Sequence, residues 1–171
     1  LFKASHGINI GATMDRLFGT DINESTEIGH KMFYLKTEGD FEFYIFEGSA
    51  SVRRYLGTNQ HPVVPSHIEA VPFSLDETPE TAMLPVEKIG KTAFRGMTHV
   101  KTVTLPEGII RIRDGAFKGS GLTEFSAPGS LLSIGDEALA DCPDLGKVYL
   151  PETILQIGEN ILENSPLSVL E

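Results

Sequence analysis

The residues that could carry chemistry are few, and their spacing keeps them apart. His6, His30, His61, His67 and His99 are dispersed along the chain. The closest pair, His61 and His67, has Pro62 and Pro65 between its members, so no helical face can present both. A metal site needs ligands that converge at characteristic spacings, and these histidines offer none. Cys142 is the single cysteine, which rules out an internal disulfide. It lacks the basic partner that would make a thiolate, so a buried, inert thiol is expected. Gly48-Ser49-Ala50-Ser51 is Ser-rich but lacks the G-x-S-x-G of a nucleophile elbow, and reads as a turn. Neither of the glycine-rich phosphate loops, G-x-x-x-x-G-K-[ST] or G-x-G-x-x-G, is present. Asn23-Glu24-Ser25 fits the glycosylation sequon, a motif short enough to arise by chance. The expectation is a protein that is not an enzyme and uses no cofactor and no metal.

Charge narrows the partners. The 171 residues carry a formal net charge of −10. Nucleic-acid binding needs clustered Lys and Arg. Here Arg53-Arg54 is the only basic doublet, and it reads as a solvated surface pair. No apolar run approaches the roughly 20 residues of a membrane helix, so no membrane insertion is expected of this chain. It opens at Leu1 without a signal-peptide pattern, which suggests a processed or trimmed piece of something longer.

What positions the side chains is a repeat. Ile89-Gly90-Lys91-Thr92-Ala93-Phe94 returns as Ile112-Arg113-Asp114-Gly115-Ala116-Phe117, as Ile134-Gly135-Asp136-Glu137-Ala138-Leu139 and as Ile157-Gly158-Glu159-Asn160-Ile161-Leu162, at spacings of 23, 22 and 23 residues. The first three units lead on to Val103-Thr104-Leu105-Pro106, Phe125-Ser126-Ala127-Pro128 and Val148-Tyr149-Leu150-Pro151. A fixed period in this range marks a solenoid, whose units bury a core only by stacking. Val100, Leu122, Leu145 and Leu167 align, as do Val103, Phe125, Val148 and Leu170, in an L-x-x-L-x-L ladder that predicts a short strand. The proline that follows ends the strand. The returning arm carries Ile109, Leu131 and Ile154, and Asp114, Asp136 and Glu159 sit where acids suit the first turn of a short helix. The expected fold class is therefore an α/β, β-rich solenoid, with short strands on one face and short helices on the other.

Three zones follow. Residues 1–31 form an N-terminal segment of uncertain structure, with a short helix around Met14, Leu17 and Phe18. Residues 32–88 form a β-rich N-terminal cap and a first irregular repeat. There Met32–Thr37 and Phe41–Phe46 flank a turn as a β-hairpin, and Ser51–Leu56 and Val63–Pro65 are further strand candidates. Pro65-Ser66-His67-Ile68 aligns with Pro106-Glu107-Gly108-Ile109, which makes Pro72 to Met83 an exposed loop inserted within a repeat. It reads equally as part of a binding surface or as a tolerated insertion. Residues 89–171 hold the repeats, the last one incomplete.

The pattern I-G-x-x-A-F-x-x-C/x-x-x-L-x-x-V-x-L-P-x-x-I resembles BspA-like leucine-rich repeats, best in Ile134 to Gln156, where Cys142 falls at a position that often holds cysteine in that family. Phe41–Ile45 and Val64–Ile68 resemble the strand-rich opening of such domains, so the likeness spans residues 39–171. Leu139 and Leu162, in place of Phe, and the Pro72–Met83 segment depart from it. The resemblance implies a surface-exposed or secreted microbial protein with roles in adhesion and protein binding. The expected binding face is the outward strand surface: Thr102, Thr104, Glu124, Ser126, Lys147 and Tyr149. These six residues also fit a plain solvated sheet face. The partner expected is a protein, on a host or neighbouring cell surface. The alternative is a structural spacer or self-assembly segment, associating through the C-terminal repeat end, where Leu162, Leu167 and Leu170 lack a covering coil.

Overall fold

Alternation in Phe41–Phe46 sets the first sheet. Phe41, Phe43 and Ile45 point into the core, while Glu42, Tyr44 and Phe46 are half-buried on the other side. The structure is a computed structural model that describes residues 34–46, 48–71 and 81–170. Strand β1 (Tyr34–Glu38) pairs antiparallel with β2 (Phe41–Phe46) across a turn that needs Gly39 at φ +57°. Strand β2 pairs antiparallel with β3 (Ser49–Tyr55), with a bulge at Glu42/Phe43. Strand β4 (His67–Ala70) lies antiparallel to β5 (Ala82–Ile89). The expected hairpin cap is present, and it does more than cover the first repeat. Strand β3 pairs in parallel with β5, and β5 with β6 (Arg111–Ile112), so the cap and the coils share one sheet.

That sheet continues in parallel through β8 (Ser133–Ile134) to β10 (Gln156–Ile157). A second, three-stranded parallel sheet runs β7 (Glu124–Ser126), β9 (Lys147–Tyr149), β11 (Val169–Leu170). Stacked coils of 22 or 23 residues therefore close a β-solenoid, and Phe125 and Val148 are register partners, as the ladder requires.

The short helices are absent. Among the described residues every regular element is a strand, and the arm that follows each isoleucine is a chain of turns. One position in every coil, and a second in three of the four, explain this. Gly96, Gly119, Asp141 and Asn164 fall in one column, with φ between 55° and 71°. Gly115, Glu137 and Asn160 fall in another, with φ between 53° and 59°. Left-handed residues cannot continue a right-handed helix, and Gly, Asn and Asp are the types that adopt them at least cost. Alternate amides then bond to the next coil: Phe117 N to Ala138 O and Gly119 N to Ala140 O (both 2.9 Å), Leu139 N to Ile161 O (2.9 Å), Asp141 N to Glu163 O (2.8 Å). Asp114 and Asp136 do not start helices. Each carboxylate accepts a backbone N–H one coil on, from Asp136 (3.3 Å) and Glu159 (2.8 Å).

The core is one continuous column. Ile89, Ile112 and Ile134 are buried, as are the pairs Ala93-Phe94, Ala116-Phe117 and Ala138-Leu139, and each large side chain is worth about 1.5–3 kcal/mol before the entropy cost of ordering it. Aromatic rings join cap to coils: Tyr55 lies 5.7 Å from Phe94, which stacks on Phe117 at 5.1 Å, which meets Phe125 edge-on at 5.3 Å. Cys142 is buried and reduced, its Sγ donating to Phe117 O at 3.3 Å. The inserted loop is shorter than expected, because Ala82 and Met83 belong to β5. Residues 72–80, the helix around Met14–Phe18 and the Asn23 sequon lie outside the described residues.

Candidate protein-binding face

The sheet β7-β9-β11 holds four of the expected surface residues, Glu124, Ser126, Lys147 and Tyr149, and the coil before it carries Thr102 and Thr104 at the matching positions. Thr123 N donates to Lys101 O, Gly146 N to Thr123 O and Ser168 N to Gly146 O, each at 2.9 Å, which aligns the coils rung by rung. One residue further along, Thr102, Glu124 and Lys147 stand in a row, with Val169 as the register partner of Lys147. Two residues beyond that, Ser126 and Tyr149 are register partners in the second row, and Thr104 holds the matching position of the preceding coil. Register partners within the sheet are about 4.8 Å apart. Thr104, Glu124, Ser126 and Lys147 are exposed, and Thr102 and Tyr149 are half-buried. The inward residues between the rows, Val103, Phe125 and Val148, are all buried. This in/out alternation is what a one-sided sheet dictates.

Two residues that were not expected extend the face. The stretch 60–64 adds another line to the ladder: Lys101 N donates to Gln60 O (2.7 Å), Thr104 N to Pro62 O and Val64 N to Thr104 O (both 3.0 Å). Val63 bridges to Thr104 and is 63% exposed, so the second row reads Val63, Thr104, Ser126, Tyr149. His61 prolongs the first row, its Nδ1 lying 2.8 Å from Thr102 Oγ1. The signal was available, since aligning Pro65 with Pro106 sets Val63 against Thr104 and His61 against Thr102.

Chemically the face offers hydroxyls, one aromatic ring, one exposed valine and the opposite charges of Glu124 and Lys147 as register partners. Such neighbours favour the sheet modestly and leave their outer atoms for a partner. No group of three or more His, Cys, Asp or Glu residues that could hold a metal ion occurs among the described residues. No helix of the described residues is long and apolar enough to cross a membrane.

The family described as BspA type leucine rich repeat region (6 copies) matches residues 73–171. The chain belongs to that family. BspA-type repeats thus account for the coils, and solved structures extend the likeness into the cap. A leucine-rich repeat protein from Bacteroides capillosus matches with a TM-score of 0.67 and 25% identity, over 80% of this chain and 98% of that one. A leucine rich cell surface protein from Faecalibacterium prausnitzii matches with a TM-score of 0.58 and 18% identity, over 80% and 42%. A T. pallidum leucine rich repeat protein matches with a TM-score of 0.51 and 22% identity, over 79% and 70%. The last two show the fold alone. No curated protein matches the chain.

Proposed function

We propose that this BspA-type chain is a non-enzymatic protein-binding module of a surface-exposed or secreted bacterial protein, and that it engages its partner through the strand face. The observation that carries the reading is the line Val63, Thr104, Ser126, Tyr149, in which Val63 bridges to Thr104 and Ser126 pairs with Tyr149, so that an exposed apolar side chain and an aromatic one stand at matching outward positions of successive coils. Tyrosine presents a large rigid surface at low entropic cost, and such residues dominate contact energetics. The likeness to a cell surface protein supports the location.

The test has two stages. A photo-crosslinking amino acid at Ser126, and as control at Arg111 on the other sheet, is exposed to host surface and matrix proteins. Any protein captured from Ser126 alone is purified and titrated against native chain and the Glu124→Ala/Tyr149→Ala variant. The expected result is an unchanged melting temperature and an affinity weaker by about tenfold or more. Unchanged affinity removes this face as the site.

One observation favours the structural alternative. In the fourth coil Leu155 is 83% exposed and Ile157 53%, and they could seat another copy. Sedimentation velocity from about 1 to 500 µM decides it, a range that brackets weak and moderate self-affinities. Concentration-dependent association that Ile157→Lys abolishes supports assembly, and a monomer throughout rejects it.

A further inference from the structure

The repeat breaks its own rule at one place. The residue after the first isoleucine of each unit is Gly90, Arg113, Gly135 and Gly158. At the three glycines a side chain has no room. A Cβ on Gly90 would lie 2.6 Å from the Val52 carbonyl oxygen, and those on Gly135 and Gly158 would strike the preceding coil at Asp114 and Asp136. Arg113 is placed between two column members that have no side chain, Gly90 and Gly135. With Arg53, Arg54, Lys91 and Arg95 it lines a groove of about 510 Å³ that crosses from β3 of the cap onto the first turn arms. The chain as a whole is strongly acidic, yet four of the five arginines among the described residues line this one groove. That concentration is not what a uniformly solvated acidic surface produces, and the doublet Arg53-Arg54 is part of it.

Arginine is the side chain best matched to an oxyanion, with a planar fork of donors that holds its charge at any physiological pH. The wall is built. The Arg53 guanidinium is held by the Glu42 carboxylate, donates to the Tyr44 hydroxyl at 3.0 Å and lies 5.7 Å from the centre of the Tyr44 ring. Arg54 and Arg95 are exposed, and neither makes an ion pair among the described residues. The three acids of the lining are already engaged. Asp114 faces Lys91 at 3.6 Å and accepts the Asp136 N–H, Asp136 accepts the Glu159 N–H, and Glu137 pairs with Lys118. The five cations of the lining outnumber its three acids, so the groove keeps a positive excess.

The groove is also directional. Its cations lie on the cap and the first two coils, while Asp136 and Glu137 stand at the far end, on the third coil. A uniform polyanion laid along it would run onto those carboxylates. A polypeptide with acidic residues followed by neutral or basic ones would not.

We propose that this groove is a second binding site, separate from the strand face, that takes an acidic polypeptide segment whose carboxylates are held by Arg54 and Arg95, with Arg113 in the same wall. The site does not depend on the strand-face reading, because the two share no residue.

The experiment uses the full chain and a fluorescein-labelled peptide of four acidic residues, a glycine and two lysines, followed by fluorescence anisotropy. Size-defined heparin fragments and inorganic sulfate serve as competitors. The variants are Arg54→Glu/Arg95→Glu in the groove and Arg111→Glu/Lys101→Glu outside it, which change net charge equally. Thermal melts check that all remain folded; if the groove variant does not, Arg54→Gln/Arg95→Gln replaces it, with Arg111→Gln/Lys101→Gln as the control of equal charge. Saturable binding is expected, weakened about tenfold or more by the groove change and less than about twofold by the other. Absence of saturable binding to the native chain overturns the proposal. So does an equal loss in both variants, which would reduce the effect to net charge. Tighter binding of heparin than of the peptide, with the same groove dependence, overturns the assignment to a polypeptide and makes this a polyanion site. Displacement of the peptide by millimolar sulfate alone reduces it to a simple anion site and overturns it equally.

Discussion

Ile134 and Ile157 hold the same place in successive coils, yet the first is fully buried and the second is 53% exposed. The difference lies in what stands on the far side. Ile134 has Ile112 before it and Ile157 after it, all register partners in one sheet. Ile157 has a neighbour on one side only among the described residues. The cap end shows the opposite solution. There β3 pairs with β5, and Phe41 and Tyr55 pack on Phe94, so the first coil is closed by backbone and by aromatic rings together. Burial in this molecule belongs to the stack and not to the residue, because a single coil has too little apolar surface to offset the entropy of ordering it.

Paired truncations along the stack should break or sharpen that contrast. Phe117→Ala removes a ring that touches both Phe94 and Phe125, and should cost about 3–5 kcal/mol. Ile134→Ala should cost about 2–5 kcal/mol, whereas Ile157→Ala should cost under about 1 kcal/mol because water already reaches it. Urea unfolding of the three variants measures this. Equal losses at Ile134 and Ile157 would mean that the fourth coil is as well packed in solution as the third. Amide exchange gives a second reading. The Gly158 and Ser168 amides, which bond back from the last coil, should exchange faster than those of Gly135 and Phe117.

Much of this contrast is legible in the amino-acid order, and the part that is not has a physical reason. The ladder Val103, Phe125, Val148 and the column Ile89, Ile112, Ile134 are read directly from a period of 22 or 23, because apolar spacing follows burial. The six strand-face residues come with them, since outward positions are the complement of inward ones. The turn arms were misread as helices. The acids at 114, 136 and 159 resemble a helix start, but the column Gly96, Gly119, Asp141, Asn164 is a left-handed column spelled in the residues that tolerate it, and it outweighs them. The basic groove could not be read at all. The doublet Arg53-Arg54 lies far in order from Lys91, Arg95 and Arg113, and only the pairing of β3 with β5 and β6 brings them together.

Steric contacts between coils supply a smaller test of the same difference. A methyl group on Gly135 would meet the backbone and carboxylate of Asp114, and one on Gly158 would meet Asp136 in the same way. Overpacking of this kind costs about 1–3 kcal/mol when both sides are held. Gly135 is held between two coils. Gly158 lies on a coil packed on one side only among the described residues, so Gly158→Ala should cost about half as much as Gly135→Ala. Thermal unfolding ranks them, and the reverse order would show that the outer coil is the more rigid one.

The smallest expected effect comes from charge between turn arms. The Asp141 carboxyl is held below its ordinary range by the Asn164 side-chain amide that donates to it at 2.9 Å, and by the attraction of Lys118 and Arg95. The Lys118 ammonium is pushed up, chiefly by its hydrogen bond to Glu137, with Asp141 adding to it. The signs are opposite. A carboxyl with a depressed folded pKa stabilises the fold above its unfolded value, near 3.9, and loses that contribution as pH falls through the folded value. An amine with a raised folded pKa stabilises the fold below its unfolded value, near 10.4, and loses that contribution as pH rises through the folded one. Asp141→Asn keeps a residue type that tolerates the left-handed backbone and keeps an acceptor for Asn164, so it isolates the charge. Urea midpoints measured downward from pH 7 should fall less steeply in acid for this variant than for the native chain, and the two should run parallel above neutrality until Lys118 titrates. An unchanged acid limb would assign the acid sensitivity to carboxylates elsewhere and leave the ion pairs between coils without weight in stability, which is the lower bound that screening by solvent and salt sets for partly exposed pairs.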